Sequence, residues 1–277
     1  MIDLSKHGLR VQGTYDAVEH NGEGVVGINE RGQIAGTTLA TGNPRAYLWE
    51  NGKMTDLGTL GGSYTVARAI DARGRITGQS STKSDQRHAF LWRNGRMIDL
   101  GTLGGRLSAP AAMNVRGQVV GTSETRRTGP DGSSPGHAFL WQNGKLRDLG
   151  TLGGPTSSAS AINEKGQTVG SSQKTGTGAA VACLWHDHTI RSLGALGGRW
   201  SDAVAINVRS QVVGTVQTLS GANHGFVWEN GQMTDLGTLP NGNDTQARAI
   251  NENNEIIGNS VSFKTGQSRA VLWTRRP

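Results

Sequence analysis

The feature that most constrains this chain is a segment it repeats along its length. It is clearest as His88-Ala89-Phe90-Leu91-Trp92-Arg93-Asn94-Gly95-Arg96-Met97-Ile98-Asp99-Leu100-Gly101-Thr102-Leu103-Gly104-Gly105. The tryptophan recurs as Trp49, Trp92, Trp141, Trp185, Trp228 and Trp273, at gaps of 43, 49, 44, 43 and 45 residues. A unit of this size cannot bury its apolar face alone, so neighbouring copies must stack and share a core.

Each copy reads as four short strands. Strand A is the alanine-rich segment seen at Ser157-Ser158-Ala159-Ser160-Ala161-Ile162-Asn163, and strand B spans Gln118 to Ser123. Strand C is the His-Ala-Phe-Leu-Trp segment, and strand D is Met-x-Asp-Leu-Gly. Asn51-Gly52, Asn94-Gly95, Asn143-Gly144 and Asn230-Gly231 separate C from D as tight hairpins. Gly32, Gly74, Gly117 and Gly166 hold one place between A and B, taken by Ser210 and Asn254 in the last two copies. Four strands per unit of about 45 residues is the arithmetic of a propeller blade.

Six copies of strand A end in Ile28-Asn29, Ile70-Asp71, Met113-Asn114, Ile162-Asn163, Ile206-Asn207 and Ile250-Asn251. The last copy stops near Trp273 without a strand D, while Met1-Ile2-Asp3-Leu4 duplicates Met97-Ile98-Asp99-Leu100. The expected fold is therefore all-β: a six-bladed β-propeller of four-stranded blades, one domain over 1–277, closed by the N-terminal strand completing the last blade.

The recurring His-Ala-Phe-Leu-Trp, Asp-Leu-Gly-Thr-Leu-Gly-Gly and Ala-Ile-Asn-x-x-Gly-Gln segments resemble the HAF-repeat family of bacterial extracellular-type proteins, over almost the whole chain. The resemblance implies architecture and often export. It carries no single activity or catalytic motif to place on residues here.

Glycine, at 42 of 277 residues, follows no three-residue period, which excludes a collagen-like chain. The formal charge is +7, yet basic residues are spread through every repeat without a run, which points to a solvated surface and away from nucleic acid. Cys183, the one cysteine, excludes an intrachain disulfide and fits packing in a slot held elsewhere by Phe90, Phe139 and Phe226. No stretch is long and apolar enough for a membrane helix, and Met1 to Arg10 lacks the pattern of a signal peptide. These features predict a monomer without membrane contact, cytoplasmic as written, or secreted if the sequence is a trimmed mature form.

Residues that break the repeat are the informative ones for chemistry. The first D-to-A connection, residues 5–23, is lengthened and holds His7, Arg10, Tyr15, Asp16, Glu19 and His20. His7, Asp16, Glu19 and His20 suit acid–base catalysis, or the loop is a polar surface segment beside the ring closure. Trp200 is the one tryptophan outside strand C, with Tyr64 in its place in the second copy, and such rings either stack on a ligand or pack on a neighbouring loop. Arg68 and Arg248 stand where other copies carry Val26, Ala111, Ser160 and Val204, and Asp202 and Gln246 stand two residues earlier in theirs. Near a narrow axis the arginines would bind an anion; rotated otherwise, they would form inter-blade ion pairs. The longest B-to-C loop, residues 124–136, is rich in Gly, Pro and Ser and reads as a flap. No phosphate loop, nucleophile elbow or zinc-protease helix occurs.

These residues predict a small-molecule site at the channel mouth, on the rim of D–A and B–C loops. Its ligand-binding residues would be Tyr15, Tyr64, Arg68, Trp200, Asp202 and Arg248, the ligand anionic or aromatic, and no cofactor or metal is expected. One alternative is a cofactor-independent hydrolase, lyase, isomerase or cyclase using the loop acids and histidines. Another is a protein-interaction scaffold.

Overall fold

The computed structural model describes residues 24–39, 42–126, 134–176, 178–240, 242–262 and 264–274. The chain divides into two compact units, Met1–Ser134 with Leu140–Arg147 and Pro135–Phe139 with Asp148–Pro277. In the first unit β1 (Gly24–Ile28), β2 (Ile34–Thr38), β3 (Arg45–Glu50) and β4 (Lys53–Asp56) form an antiparallel meander. β5 (Gly61–Ile70), β6 (Ile76–Thr82), β7 (Arg87–Arg93) and β8 (Arg96–Asp99) repeat it. The third copy comprises β9 (Gly104–Met113), β10 (Val119–Thr125), β11 (Gly136–Gln142) and β12 (Lys145–Asp148), and the boundary between units falls within β11.

The second unit holds β13 (Gly153–Ile162), β14 (Thr168–Lys174), β15 (Ala180–His186) and β16 (Thr189–Gly194) as one sheet. β17 (Ser201–Ile206), β18 (Val212–Gln217), β19 (Asn223–Glu229) and β20 (Gln232–Asp235) form the next. β21 (Asp244–Ile250), β22 (Ile256–Val261) and β23 (Ser268–Trp273) form a three-stranded sheet. Strands A through D thus fall where the repeat predicts, with one difference. In the second to fourth copies strand A begins earlier, at the Gly-Gly pair, because the preceding leucine is drawn to strand B. Leu60 N–H donates to Ser80 Oγ at 3.0 Å and Leu152 N–H to Ser172 Oγ at 2.8 Å.

The core lies between successive sheets, since each meander is apolar on both faces. Ala35, Leu48 and Leu57 of the first copy pack with Ala67, Ile76, Phe90 and Trp92 of the second. Val169, Ala182 and Leu193 pack likewise with Ala203, Val212, Phe226 and Trp228 in the second unit. A buried hydroxyl on strand A joins each such pair. Ser108 Oγ accepts from Ala89 N–H at 2.8 Å and donates to the Gly101 carbonyl at 2.6 Å; Ser201 does the same with Ala182 and Gly194.

The A–B turns are built by the asparagine. Asn207 Oδ1 accepts from the Arg209 and Gln211 N–H groups, while its Nδ2 donates to Gln211 Oε1 at 2.7 Å and to the Asn251 carbonyl of the next copy at 3.1 Å. The following turn position has positive φ, with Ser210 at 67° and Asn254 at 64°. Ser210 is held there by its hydroxyl, which donates to Gln167 Oε1 of the preceding copy at 2.7 Å. Each hairpin Asn between C and D also has positive φ, and Asp187 and His188 adopt it in the fourth copy without glycine.

The strand C histidines have a structural role. His88 pairs with Asp99 at 2.9 Å, His137 with Asp148 at 2.8 Å and His224 with Asp235 at 2.7 Å, and Arg45 pairs with Asp56 in the same way. Each aspartate also accepts from a backbone N–H two residues on, tying strand D to the loop that leaves it.

Candidate functional site

An antiparallel meander places its D–A and B–C connections at one end and its A–B and C–D turns at the other. Every strand A carries a β-bulge at the same point, and the bulged residues are Val26, Arg68, Ala111, Ser160, Val204 and Arg248. A bulge leaves its residue out of the ladder and re-aims the side chain. Opposite it stands a strand B glycine, because the kinked strand A leaves no room: a Cβ on Gly78 would meet the Val66 carbonyl, and one on Gly214 the Asp202 carbonyl. Arg68 and Arg248 are consequently exposed, and neither forms an ion pair among the described residues. Arg248 Nη2 donates to Gln246 Oε1 at 2.7 Å. The alternative of inter-blade ion pairs is not realised within the described residues.

Burial alternates ahead of the bulge. In β17, Ser201 and Ala203 turn inward and are buried, whereas Asp202 is half-buried on the other face. Trp200, two residues before Asp202 and just ahead of β17, is also half-buried. Burial pushes the Asp202 carboxyl above its usual range, opposed by a hydrogen bond from Ser171 of β14. Ser158 Oγ lies 3.4 Å from Ser171 Oγ, extending a polar row. No cation pairs with Asp202 among the described residues. Burial, and then the charge of Asp202, push the Cys183 thiol up, so Cys183 is an inert packing group and not a nucleophile. At the loop end, the Trp200 carbonyl accepts from Gln217 N–H at 3.0 Å. Leu219, two residues further, is 83% exposed and lies against Gly197 of the D–A loop.

In the first unit, Tyr64 is half-buried at the start of β5 and its N–H donates to Ser81 Oγ at 2.9 Å. The Arg87 guanidinium covers its ring, 4.6 Å from the centroid. Tyr64 and Arg68 belong to one unit and Trp200, Asp202 and Arg248 to the other. His7, Tyr15, Asp16, Glu19 and His20 lie outside the described residues. Among the described residues no group of three or more His, Cys, Asp or Glu side chains could hold a metal. No helix there is long and apolar enough to cross a membrane.

Ser171, Ser158 and Arg87 were not singled out by the sequence. Ser171 sits in a strand B slot that looks like filler until strand A of the next copy supplies a carboxyl beside it. Arg87 directly precedes the repeated strand C motif, so it reads as a loop residue.

No family model matches the chain, and no curated protein does. Solved structures do. The β-propeller domain of the trilobed protease from Pyrococcus furiosus aligns with a TM-score of 0.59 at 10% identity, covering 92% of this chain and 82% of that one. The fold is a β-propeller. A puromycin hydrolase aligns with a TM-score of 0.56 at 16% identity over 90% of this chain. A puromycin-hydrolyzing peptidase of Mycobacterium tuberculosis aligns at 0.53 and 12% over 92%. The chain spans only 44% of the length of each of these two. At such identities the likeness concerns the fold alone, and the resemblance to HAF repeats rests on the motif strings.

Proposed function

We propose that this chain is a small-molecule-binding β-propeller whose recognition site stands at the D–A and B–C end of strand A, with Trp200 and Asp202 at its centre. The observation that carries this reading is the Asp202 carboxyl, half-buried two residues after Trp200, with Ser171 as a hydrogen-bond partner and no cation paired with it among the described residues. The second and third copies carry Val66 and Ala109 in that slot. A carboxylate placed there lowers stability, because burial removes its hydration. A ligand that lays a ring on Trp200 and brings a hydrogen-bond donor to Asp202 would offset that loss. Arg248, exposed on its bulge in the same unit, supplies a forked donor suited to an anionic group.

Calorimetric titration with a panel of aromatic amines, sugars and organic acids tests the reading. A bound compound should lose about tenfold or more in affinity in both Trp200→Ala and Asp202→Asn, the loss of about 1.4 kcal/mol expected for one good contact. Binding indifferent to both substitutions, or no binding across the panel, overturns it.

A second reading is favoured by the raised Asp202 carboxyl: a proton held there would serve as a general acid in a cofactor-independent enzyme. Asp202→Asn would then abolish turnover while leaving ligand affinity within a fewfold.

The proposal extends to the architecture. The chain is a single six-bladed domain of HAF-repeat type over 1–277, with Met1-Ile2-Asp3-Leu4 serving as the missing strand D beside β23. What supports this is Arg269, which occupies the strand C slot of Arg45, His88, His137 and His224 yet has no aspartate opposite it among the described residues. Asp3 falls at the matching place in its segment.

A further inference from the structure

Basic residues that are scattered in the sequence share one position in the repeat. Arg31, Arg73 and Arg116 each stand two residues after the turn-building Asn or Asp of successive A–B turns. The turns adjoin: Asn29 Nδ2 donates to the Asp71 carbonyl at 2.9 Å, Arg31 Nη1 to the Arg73 carbonyl at 3.4 Å, and Arg75 Nη2 to the Val115 carbonyl at 2.7 Å. The three arginines therefore form a row along one edge of the first unit, and all are exposed. The C–D hairpins open at the same end and add Lys53, Arg93 and Arg96, also exposed.

The carboxylates of this edge, Glu30, Glu50 and Asp71, are outnumbered by its basic residues. Asp71 is taken up by Arg75, whose Nε donates to it at 2.6 Å, and Glu50 accepts from Gln33 at 2.9 Å. Arg31, Lys53, Arg73, Arg93 and Arg96 form no ion pair among the described residues. In the second unit the corresponding turns carry Lys165 and Arg209 at the same position, but Glu164, Asp187, Glu229, Glu252 and Glu255 outnumber them. An excess of positive over negative charge is thus found on the turn edge of the first unit and not on that of the second.

We propose that the A–B and C–D turn edge of the first unit binds the phosphate backbone of double-stranded nucleic acid, independently of base sequence. Guanidinium forks suit phosphate oxygens, and a row of them suits a ligand with charge repeated along its length. Single strands and sugar chains are held by stacking on aromatic rings, and no large aromatic is exposed among the described residues of this edge. Insertion into a bilayer needs a continuous apolar face. The large apolar side chains exposed among the described residues here are Ile28 and Val115, which belong to the first and third copies and make no such face. The absence of a basic run in the sequence argues against nucleic acid only until the repeat register lines these residues up.

The test is fluorescence anisotropy with a short random-sequence DNA duplex over a series of salt concentrations. The wild-type chain is compared with Arg31→Gln/Arg73→Gln/Arg116→Gln and with the opposite-end control Lys83→Gln/Arg106→Gln/Arg126→Gln, which removes the same charge. Thermal melts check that each variant is folded. The turn-edge variant should weaken binding and flatten the log–log salt slope by about 0.9 for each phosphate it no longer neutralises, while the control keeps the wild-type slope. Equal effects of the two variants would reduce the interaction to net charge and overturn the proposal. So would the absence of duplex binding at low salt, or tighter binding to heparin or to anionic phosphatidylserine vesicles than to the duplex.

Discussion

Tyr47 occupies the strand C slot that holds Phe90, Phe139 and Phe226 in other copies, and its ring is equally buried. Its hydroxyl has no hydrogen-bond partner among the described residues, and burial pushes the phenol up to about 12. Tyr47→Phe should therefore raise stability by about 1 kcal/mol, seen as a higher urea midpoint at unchanged slope. Asp202 and Asp148 give opposite pH signatures. The Asp202 carboxyl is raised by burial, so the folded chain holds its proton more tightly than the unfolded chain does, and stability falls as pH rises through its folded value. Burial also acts upward on Asp148, but hydrogen bonds from His137 and the Gly150 N–H and the His137 charge hold it below the usual range. Its contribution is therefore lost as pH falls through that lower value. Asp202→Asn should leave the acid limb unchanged and raise stability at neutral pH; an identical loss at all pH values would mean that its packing, not its charge, matters. The sequence marks Asp202 and Trp200 as departures from the repeat. It cannot mark Ser171, because the hydrogen bond joins positions on different copies, and a single repeat reads neither.

At the scale of the element, the A–B turn shows how one contact is kept by two chemistries. Asn29 and Gln33 bind each other, and Asn29 reaches the next turn. In the second copy Asp71 has no donor to offer, and Arg75 takes over, binding Asp71 and reaching Asn114 and Val115. Asp71→Asn and Arg75→Gln should each destabilise, since the first leaves the Arg75 charge unpaired and the second leaves the Asp71 charge so. The double substitution recreates the Asn29–Gln33 pair and should recover most of the loss, with a coupling of about 1 kcal/mol or more in denaturant unfolding. Additive losses would mean that the two side chains act separately. Strand count and turn positions were legible because asparagine, glycine and the tryptophan recur at fixed offsets. The bulge was not, since Arg68, Ala111 and Val204 share no property; its trace is the strand B glycine facing it, which reads as one more small residue until strand A is laid beside it.

At the scale of the whole molecule, the three-stranded last sheet is where the proposed ring closure would act. In the other copies strand C is almost wholly buried, as in β7 and β11. In β23 the pattern fails: Leu272 is 60% exposed and Arg269 lies open. A strand with one open edge and exposed apolar side chains is a template for further pairing, and the proposed occupant is the N-terminal Met1-Ile2-Asp3-Leu4. With that strand in place Asp3 meets Arg269 as Asp56 meets Arg45. Asp3→Arg should then place like charges opposite each other and lower stability by about 1 kcal/mol, the upper end for an exposed pair. Arg269→Asp should do the same, and the exchanged double variant should return to the wild-type melting temperature. A silent Asp3→Arg, with the double variant equal to Arg269→Asp alone, would place the N-terminal strand elsewhere and leave β23 an edge. The exchange separates closure from a mere change in net charge, because the double variant carries the same charge as the original chain.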